Sequence, residues 1–414
     1  MCPVTVWCTG IRLLSVKDSQ GRAAVSKIQV LHATLYLGMG GLETVIMDLC
    51  RSMDKGRFTL HVLCLCQYDE DYKAQLESQG VEVHVIKRRA RGDLSFFIRI
   101  TALMKSRRID VVHAHSGCFF NMALCAAVAR VPVRLFTEHG LPLDNEGLPM
   151  NTGLKARCED LFTGAIATRV YGVSDEIVKN LSTRMAGQKR KIRHAVNGID
   201  TARFKPCSDL YSIGVEKRRL ALPEGPFIIG SVGRLETIKN HALLLEACAQ
   251  LKAVPVDFHL VLVGDGACRG VLTDQAAELG IDNRVTFAGV QYGIEHLLPV
   301  MDMFVLPSLT EGTSISLLEA MACGIPCVAS NVGGTPAIIE DGINGVLFEA
   351  CQADMLAATL KALCNDPERR RGLAINAVRT VAERFSIGTM VAQYESAYSH
   401  SEAGKGDAWK RETR

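Results

Sequence analysis

The chain has 414 residues, 48% hydrophobic and 22% charged, with a formal net charge of +3. That length suits two globular domains, and the balance excludes a disordered, collagenous or coiled-coil protein. The charge is too small to point to nucleic acid, and no apolar run reaches the length of a membrane span. Residues 1–26 open on MCPVTVWCTGIRLLSV, without the basic n-region and cleavage site of a signal peptide. They read as an extension of unknown role. The 15 cysteines are scattered through apolar segments with no CxxC pair, as expected for reduced core thiols in a cytoplasmic protein.

From residue 27 the chain alternates short β-branched runs with stretches of helical period. The strands are expected at 27–34, 59–66, 81–87, 110–116, 132–138, 168–173 and 192–196, then at 227–233, 258–264, 284–289, 303–308, 326–330 and 345–349. Amphipathic segments such as GLETVIMDLCRSM and HALLLEACAQL lie between them. Nearly continuous apolar strands separated by helices predict parallel sheets covered on both faces. The fold class is therefore α/β, with two Rossmann-like domains. The expected divisions are 27–205 and 206–384, with a bend in 201–225, where Pro206, Pro223 and Gly225 interrupt the periodicity. The segment 385–400 has apolar and aromatic residues at helical spacing and is expected to cross back to the first domain. The tail 401–414 is polar. Residues 1–210 carry 29 Lys and Arg against 20 Asp and Glu, a charge of +9; residues 211–414 carry 18 against 24, a charge of −6.

Three motifs carry candidate chemistry. GMGGLE (38–43) is a glycine turn opening a helix, suited to an anion, although a plain strand-to-helix turn would also account for it. It is neither a Walker loop nor a dinucleotide fingerprint. SVGRLETIKNH (231–241) puts Arg234 and Lys239 at the end of a strand, where they could neutralise a diphosphate or simply form surface ion pairs. LPSLTEGTSISLLEAMACGIPCVAS (306–330) puts Glu311 in a loop and Glu319 in the following helix, both able to accept hydrogen bonds from sugar hydroxyls. Capping by Thr313 or Ser314, with Glu319 an ordinary helix residue, is the plainer alternative. His113 and His115 share a strand face, but the sequence offers no third metal ligand, so no metal site is expected.

Arg234 with Lys239, Glu311 and Glu319 with seven residues between them, ACGIPCVAS and VGGTPAIIEDGINGVLFE (332–349) together resemble the family 4 retaining glycosyltransferases, which have the GT-B fold. GGLE, HAHS, TEHG, YGVSDEI and VNGIDTARFKP in the first half agree. The resemblance covers roughly 28–400. It implies that Arg234, Lys239 and the amides of Gly40 and Gly41 hold the donor diphosphate. It further implies that Glu319 holds the ribose, that Glu311 holds the donor sugar, and that the amides of Gly312, Thr313, Ser314 and Ile315 touch sugar or phosphate. His139 would sit beside the reacting sugar and Val290 near the base. The loop after Glu311 reads GTS where many relatives have an aromatic residue and a glycine, which leaves the donor open between UDP- and GDP-linked sugars.

The implied activity is a metal-independent hexosyltransferase with no cofactor. It would act on a glycan or lipid-linked acceptor in polysaccharide, lipopolysaccharide or glycolipid synthesis. The basic runs KRRAR (87–91), KSRR (105–108) and KRKIRH (189–194) read either as solvated helix ends or as a face for an anionic membrane. The latter would give peripheral association on the inner face of the membrane. The alternatives are a GT-B-like nucleotide-sugar epimerase and a non-catalytic sugar-nucleotide-binding protein.

Overall fold

The computed structural model describes residues 15–17, 23–38, 40–90, 92–141, 153–253 and 256–399. The polar tail lies outside the described residues. Within the amino-terminal extension, β1 (Ser15–Lys17) pairs antiparallel with β2 (Ala23–Val25), a hairpin that the sequence pattern did not announce.

Two parallel sheets follow. The first contains β3 (Ile28–Leu37), β4 (Phe58–Tyr68), β5 (Glu82–Val85), β6 (Val111–His115), β7 (Val133–Glu138), β8 (Arg169–Gly172) and β9 (Ile192–His194). Their order is β5-β4-β3-β6-β7-β8-β9. The second contains β10 (Phe227–Val232), β11 (Phe258–Val263), β12 (Val285–Gly289), β13 (Met303–Leu306), β14 (Cys327–Ser330) and β15 (Val346–Phe348). Their order is β12-β11-β10-β13-β14-β15. Every residue of β6, β11 and β13 is buried, because helices cover both faces of each sheet. This is the pair of Rossmann-like domains that the alternation predicts.

The strand order fixes where a ligand can sit. In the first sheet the chain runs outward from β3 to β5 and then returns to the other side of β3 as β6. In the second it does the same around β10, with β13 returning beside it. At each reversal the loops leave the carboxyl edge in opposite directions and open a crevice. The turn after β3 holds Gly40 and Gly41. The turn after β10 holds Arg234, and the loop after β13 holds Glu311.

The two domains are stitched side by side where the chain passes between them twice. Ile199 N–H donates to the Phe385 carbonyl at 2.9 Å, and Ile387 N–H donates to the Ile199 carbonyl at 2.8 Å. Ser386 then caps the helix Ile387–Tyr398 through the Thr389 N–H. That helix lies on the first domain. Its Glu395 accepts from the Asp54 N–H at 2.9 Å and pairs with Arg57 at 3.0 Å. Tyr398 is fully buried, and its hydroxyl lies 2.6 Å from His113 Nδ1. Among the described residues no helix is long and apolar enough to cross a membrane, and every cysteine is free of a disulfide.

The seat of the last helix is testable. Tyr398→Phe keeps the ring but strands a buried imidazole nitrogen, and is expected to cost about 1–3 kcal/mol. Tyr398→Ala also empties the ring's volume, for about 3–5 kcal/mol. Urea unfolding measures both. A Phe variant as stable as wild type would show that packing alone seats the helix.

Candidate active site

Two helix starts converge between the sheets. The helix Gly41–Ser52 follows β3 and has Gly40 at its N-cap; the Glu43 carboxylate folds back over this start and accepts from its own backbone N–H. The helix Ile315–Ala322 follows β13 and has Ser314 at its N-cap, accepting from the Leu317 N–H. A Cβ built on Gly41 would lie 3.5 Å from Ile315 Cγ1, so the two starts touch. Their positive dipole ends therefore meet at one place, which favours an anion. Thr313 is not the cap. Its hydroxyl donates across the domain boundary to the Val173 carbonyl.

Cations flank this point. Arg234 is largely exposed, and Nη1 pairs with Glu236 at 2.7 Å. Burial raises the pKa of Glu43, three residues after Gly40, and the charge of Arg234 partly opposes that rise. Lys239 ends a short 3-10 turn, Thr237–Lys239. Its Nζ donates to Glu311 Oε1 at 2.6 Å, and the Ser308 hydroxyl donates to the same oxygen at 2.6 Å. The Leu309 N–H bonds the Ile238 carbonyl at 2.8 Å and locks the two loops together. Glu311 is thus held through one oxygen, while Oε2 has no partner among the described residues. Ser308 escaped the sequence reading, because a serine at a strand end carries no signal of its own.

Close backbone approach explains the glycines of this loop. A Cβ on Gly312 would lie 2.2 Å from the His139 carbonyl oxygen, in the other domain. Gly333 has φ +54°, and a Cβ there would lie 1.9 Å from the Glu311 carbonyl oxygen. No side chain fits at either place.

Glu319 lies in the helix Ile315–Ala322 and is 7% exposed. Its carboxyl makes no hydrogen bond among the described residues. Burial, reinforced by the neighbouring charge of Asp48 and opposed by Arg203, pushes its pKa up to about 8. Asp48 belongs to the helix Gly41–Ser52 of the first domain, and burial raises it to about 6. Arg203 is committed to Glu295 at 2.8 Å. A buried carboxyl without a partner is uncommon in native proteins and is well placed for ligand hydroxyls. Val290 stands apart from this group. It is half-exposed after edge strand β12, two strands from β10.

The histidines require a correction. The sequence suggested no third residue beside His113 and His115, yet β3 supplies His32, and candidate ligand atoms of the three lie within 4.8 Å of one another. His32 sits opposite His113 in the parallel register. Their nitrogens are largely committed to one another and to hydroxyls. His113 contacts Tyr398 at 2.6 Å and Thr137 at 2.7 Å. His115 Nε2 lies 3.1 Å from His32 Nδ1, and His115 Nδ1 lies 3.0 Å from His139 Nε2. Burial lowers His32 to about 4 and His139 to about 3, and holds His113 and His115 well below the ordinary range. All four are neutral at pH 7. A second group, His61, Glu82 and His84, lies on β4 and β5, with its carboxylate held by Arg107 at 2.8 Å.

Two facing parallel sheets with an anion site between their switch points define the GT-B class of sugar-transferring enzymes. Residues 39–203 match Glycosyltransferase Family 4, and residues 213–380 match Glycosyl transferases group 1. EpsF of Bacillus subtilis (strain 168), whose name assigns it to the glycosyltransferases, is 30% identical over 74% of this chain and 80% of its own. An Escherichia coli UDP-Gal:alpha-D-GlcNAc-diphosphoundecaprenol alpha-1,3-galactosyltransferase is 26% identical over 82% of this chain and 89% of its own. Among solved structures, Anabaena HepE in complex with UDP and glucose is similar, with a TM-score of 0.79 at 23% identity, over 90% of this chain and 99% of that one. The chain belongs to the family 4 glycosyltransferases of GT-B fold.

The pH dependence of stability tests the Glu319 environment. Its folded pKa is raised, so its contribution is fully present below the ordinary carboxylate range and is lost as pH rises toward about 8. The buried neutral histidines act in the opposite sense at lower pH, so the difference from Glu319→Gln isolates the carboxyl. The stability advantage of the Gln variant is expected to grow from about pH 5 to about pH 8, reaching a few kcal/mol at most. Thermal midpoints across that range measure it. A difference independent of pH would mean that Glu319 titrates as an ordinary surface carboxylate.

Proposed function

We propose that this glycosyltransferase is a retaining, metal-independent hexosyltransferase that moves a sugar from a UDP- or GDP-linked donor to a hydroxyl of a glycan or lipid-linked acceptor. The observation that carries the reading is the meeting of two helix starts beside Arg234 and the Lys239–Glu311 pair. Breaking the bond between the anomeric carbon and the phosphate oxygen builds negative charge on the leaving diphosphate. Arg234, Lys239 and the amides that follow Gly40 and Ser314 stabilise that charge, in the role a divalent cation fills in metal-dependent transferases. The acceptor oxygen bonds to the anomeric carbon from the face the phosphate leaves, and its proton passes to the departing phosphate. Glu311 holds donor-sugar hydroxyls through Oε2, and Glu319 holds the ribose.

The acceptor belongs to the first domain in this reading. A cavity of about 600 Å³ is lined by Arg88, Phe97, Phe120, Leu124, Lys155 and Phe162. Apart from Arg88, its walls come from the helices Leu94–Ser106, Phe119–Ala129 and Leu154–Ile166. Aromatic walls with Arg88 beside them suit an apolar chain that ends in a diphosphate, while Lys155 is shared with Glu159, which also lines the cavity, at 3.8 Å. Leu94, Ile98 and Leu154 are more than two-thirds exposed nearby, which favours peripheral contact with an anionic membrane on the cytoplasmic side. The galactosyltransferase relative is named for a diphosphoundecaprenol acceptor, and polysaccharide or glycolipid synthesis fits both.

Two measurements test the site. Arg234→Ala and Lys239→Ala are each expected to lower turnover by about two orders of magnitude, roughly 3 kcal/mol, with activity retained in EDTA. Near-normal turnover in both variants, or loss of activity in EDTA, would overturn the diphosphate grip or the metal-free chemistry respectively. Glu319→Ala is expected to weaken calorimetric binding of the free nucleoside diphosphate by about 1.5–3 kcal/mol, while Glu311→Ala leaves it unchanged and loses mainly turnover of the intact donor. Equal loss in the two would remove Glu311 from the sugar.

A further inference from the structure

The three imidazoles His32, His115 and His139 form one chain from the interior of the first sheet to the cleft. His32 and His115 are fully buried, and His139 is half-buried. Contacts of 3.1 and 3.0 Å link them in that order. A neutral imidazole carries one N–H, so three rings share three N–H groups between two contacts and two free ends. One N–H must therefore lie at an end. The inner end is His32 Nε2, a buried atom with no hydrogen-bond partner. The outer end is His139 Nδ1, which the ring geometry turns away from His115. Among the described residues it has no partner either.

The two ends are not equivalent. A buried N–H without an acceptor is rarer in native proteins than a bare acceptor, and only the outer end can meet a ligand. The polarity then follows along the chain: His32 Nδ1–H donates to His115 Nε2, and His115 Nδ1–H donates to His139 Nε2. We infer that His32 and His115 are positioning residues that hold His139 in the tautomer with its N–H on Nδ1, as a hydrogen-bond donor to an oxygen of the bound sugar substrate. In this tautomer His139 cannot take the proton of an acceptor hydroxyl through Nδ1. Burial keeps all three rings neutral at pH 7, so the order is not lost to protonation. His113, tilted 36° against His115 with ring centroids 4.2 Å apart, is satisfied by two hydroxyls and stays outside the chain.

The substrate part of this inference rests on the proposed sugar transfer, whereas the tautomer does not. Two-bond proton–nitrogen NMR on the full-length protein labelled with ¹⁵N-histidine reads the tautomer directly, and the signal lost in His139→Gln assigns it. The expected result at pH 7 is a neutral His139 with its proton on Nδ1. A proton on Nε2, a mixture of tautomers or an imidazolium would overturn the inference, whatever the activity. In kinetics, His115→Leu is expected to lower kcat about tenfold or more, with the donor KM within about twofold. His115→Asn, whose amide N–H can donate in place of Nδ1, is expected to recover kcat to within about threefold. Equal activity of the Leu variant and wild type, or equal loss in Leu and Asn, would show that His115 does not orient His139. Where His115→Leu fails to fold, the tautomer of the wild-type protein decides alone.

Discussion

The contact of Gly312 with the carbonyl of His139 sets how closely the two domains approach. It is backbone against backbone, with no room for a Cβ. Around it, Thr313 bonds Val173, and Gly41 meets Ile315. These contacts all lie on the carboxyl edges of the two sheets. Had any of them carried a bulky side chain, the edges would stand apart and the two helix dipoles would act on different regions of space. The anion site thus depends less on any single cation than on residues small enough to let two backbones touch.

That closeness has an electrostatic consequence. It places carboxyls from both domains in a region nearly free of water. The charge of Asp48 adds to the burial that raises the cost of ionising Glu319, and Arg203, already paired to Glu295, offsets only part of it. Lys239 and Glu311 solve the same difficulty by pairing directly. Neutralising one member of such a pair strands the other, so a loss of turnover in Lys239→Ala includes any displacement of Glu311. Among the described residues Arg234 pairs directly only with Glu236, a surface residue two positions away, although its charge also acts on the buried Glu43.

The fold was legible because both sheets are buried on two faces, which leaves nearly unbroken apolar runs bounded by turn residues. All thirteen strands expected from residue 27 onward overlap observed ones, with the ends displaced by a few residues; β3 runs on to Leu37 where the pattern stopped at residue 34. Arg234, Lys239, Glu311 and Glu319 were legible as a spaced set, though spacing alone left capping and ion pairing open. His32 was not. In IQVLHATLYL it reads as one polar residue in an apolar strand. Its neighbours His113 and Tyr398 are brought to it by a crossover strand and by a helix 366 positions away. Asp48 was hidden for a similar reason: a carboxylate in an amphipathic helix looks solvated until another domain covers it. The hairpin β1–β2 went unread because its strands are only three residues each, although DSQGR (18–22) between them holds turn-forming residues.

The buried histidines bear on the chemistry through what they exclude. A general base in the cleft would have to be unprotonated, reachable and able to hold a proton at working pH. Burial pushes His139 to about 3, far below that requirement. Glu311 is tied through one oxygen to an ammonium and a hydroxyl, which leaves that oxygen no room to take a proton from the acceptor. Glu319 holds its proton more readily, but it lies in the helix beyond the loop that carries Glu311. The group whose basicity grows as the reaction proceeds is the leaving diphosphate itself. A site with cations and amides gathered on the phosphate and neutral donors beside the sugar suits a displacement in which that phosphate, rather than a side chain, receives the proton.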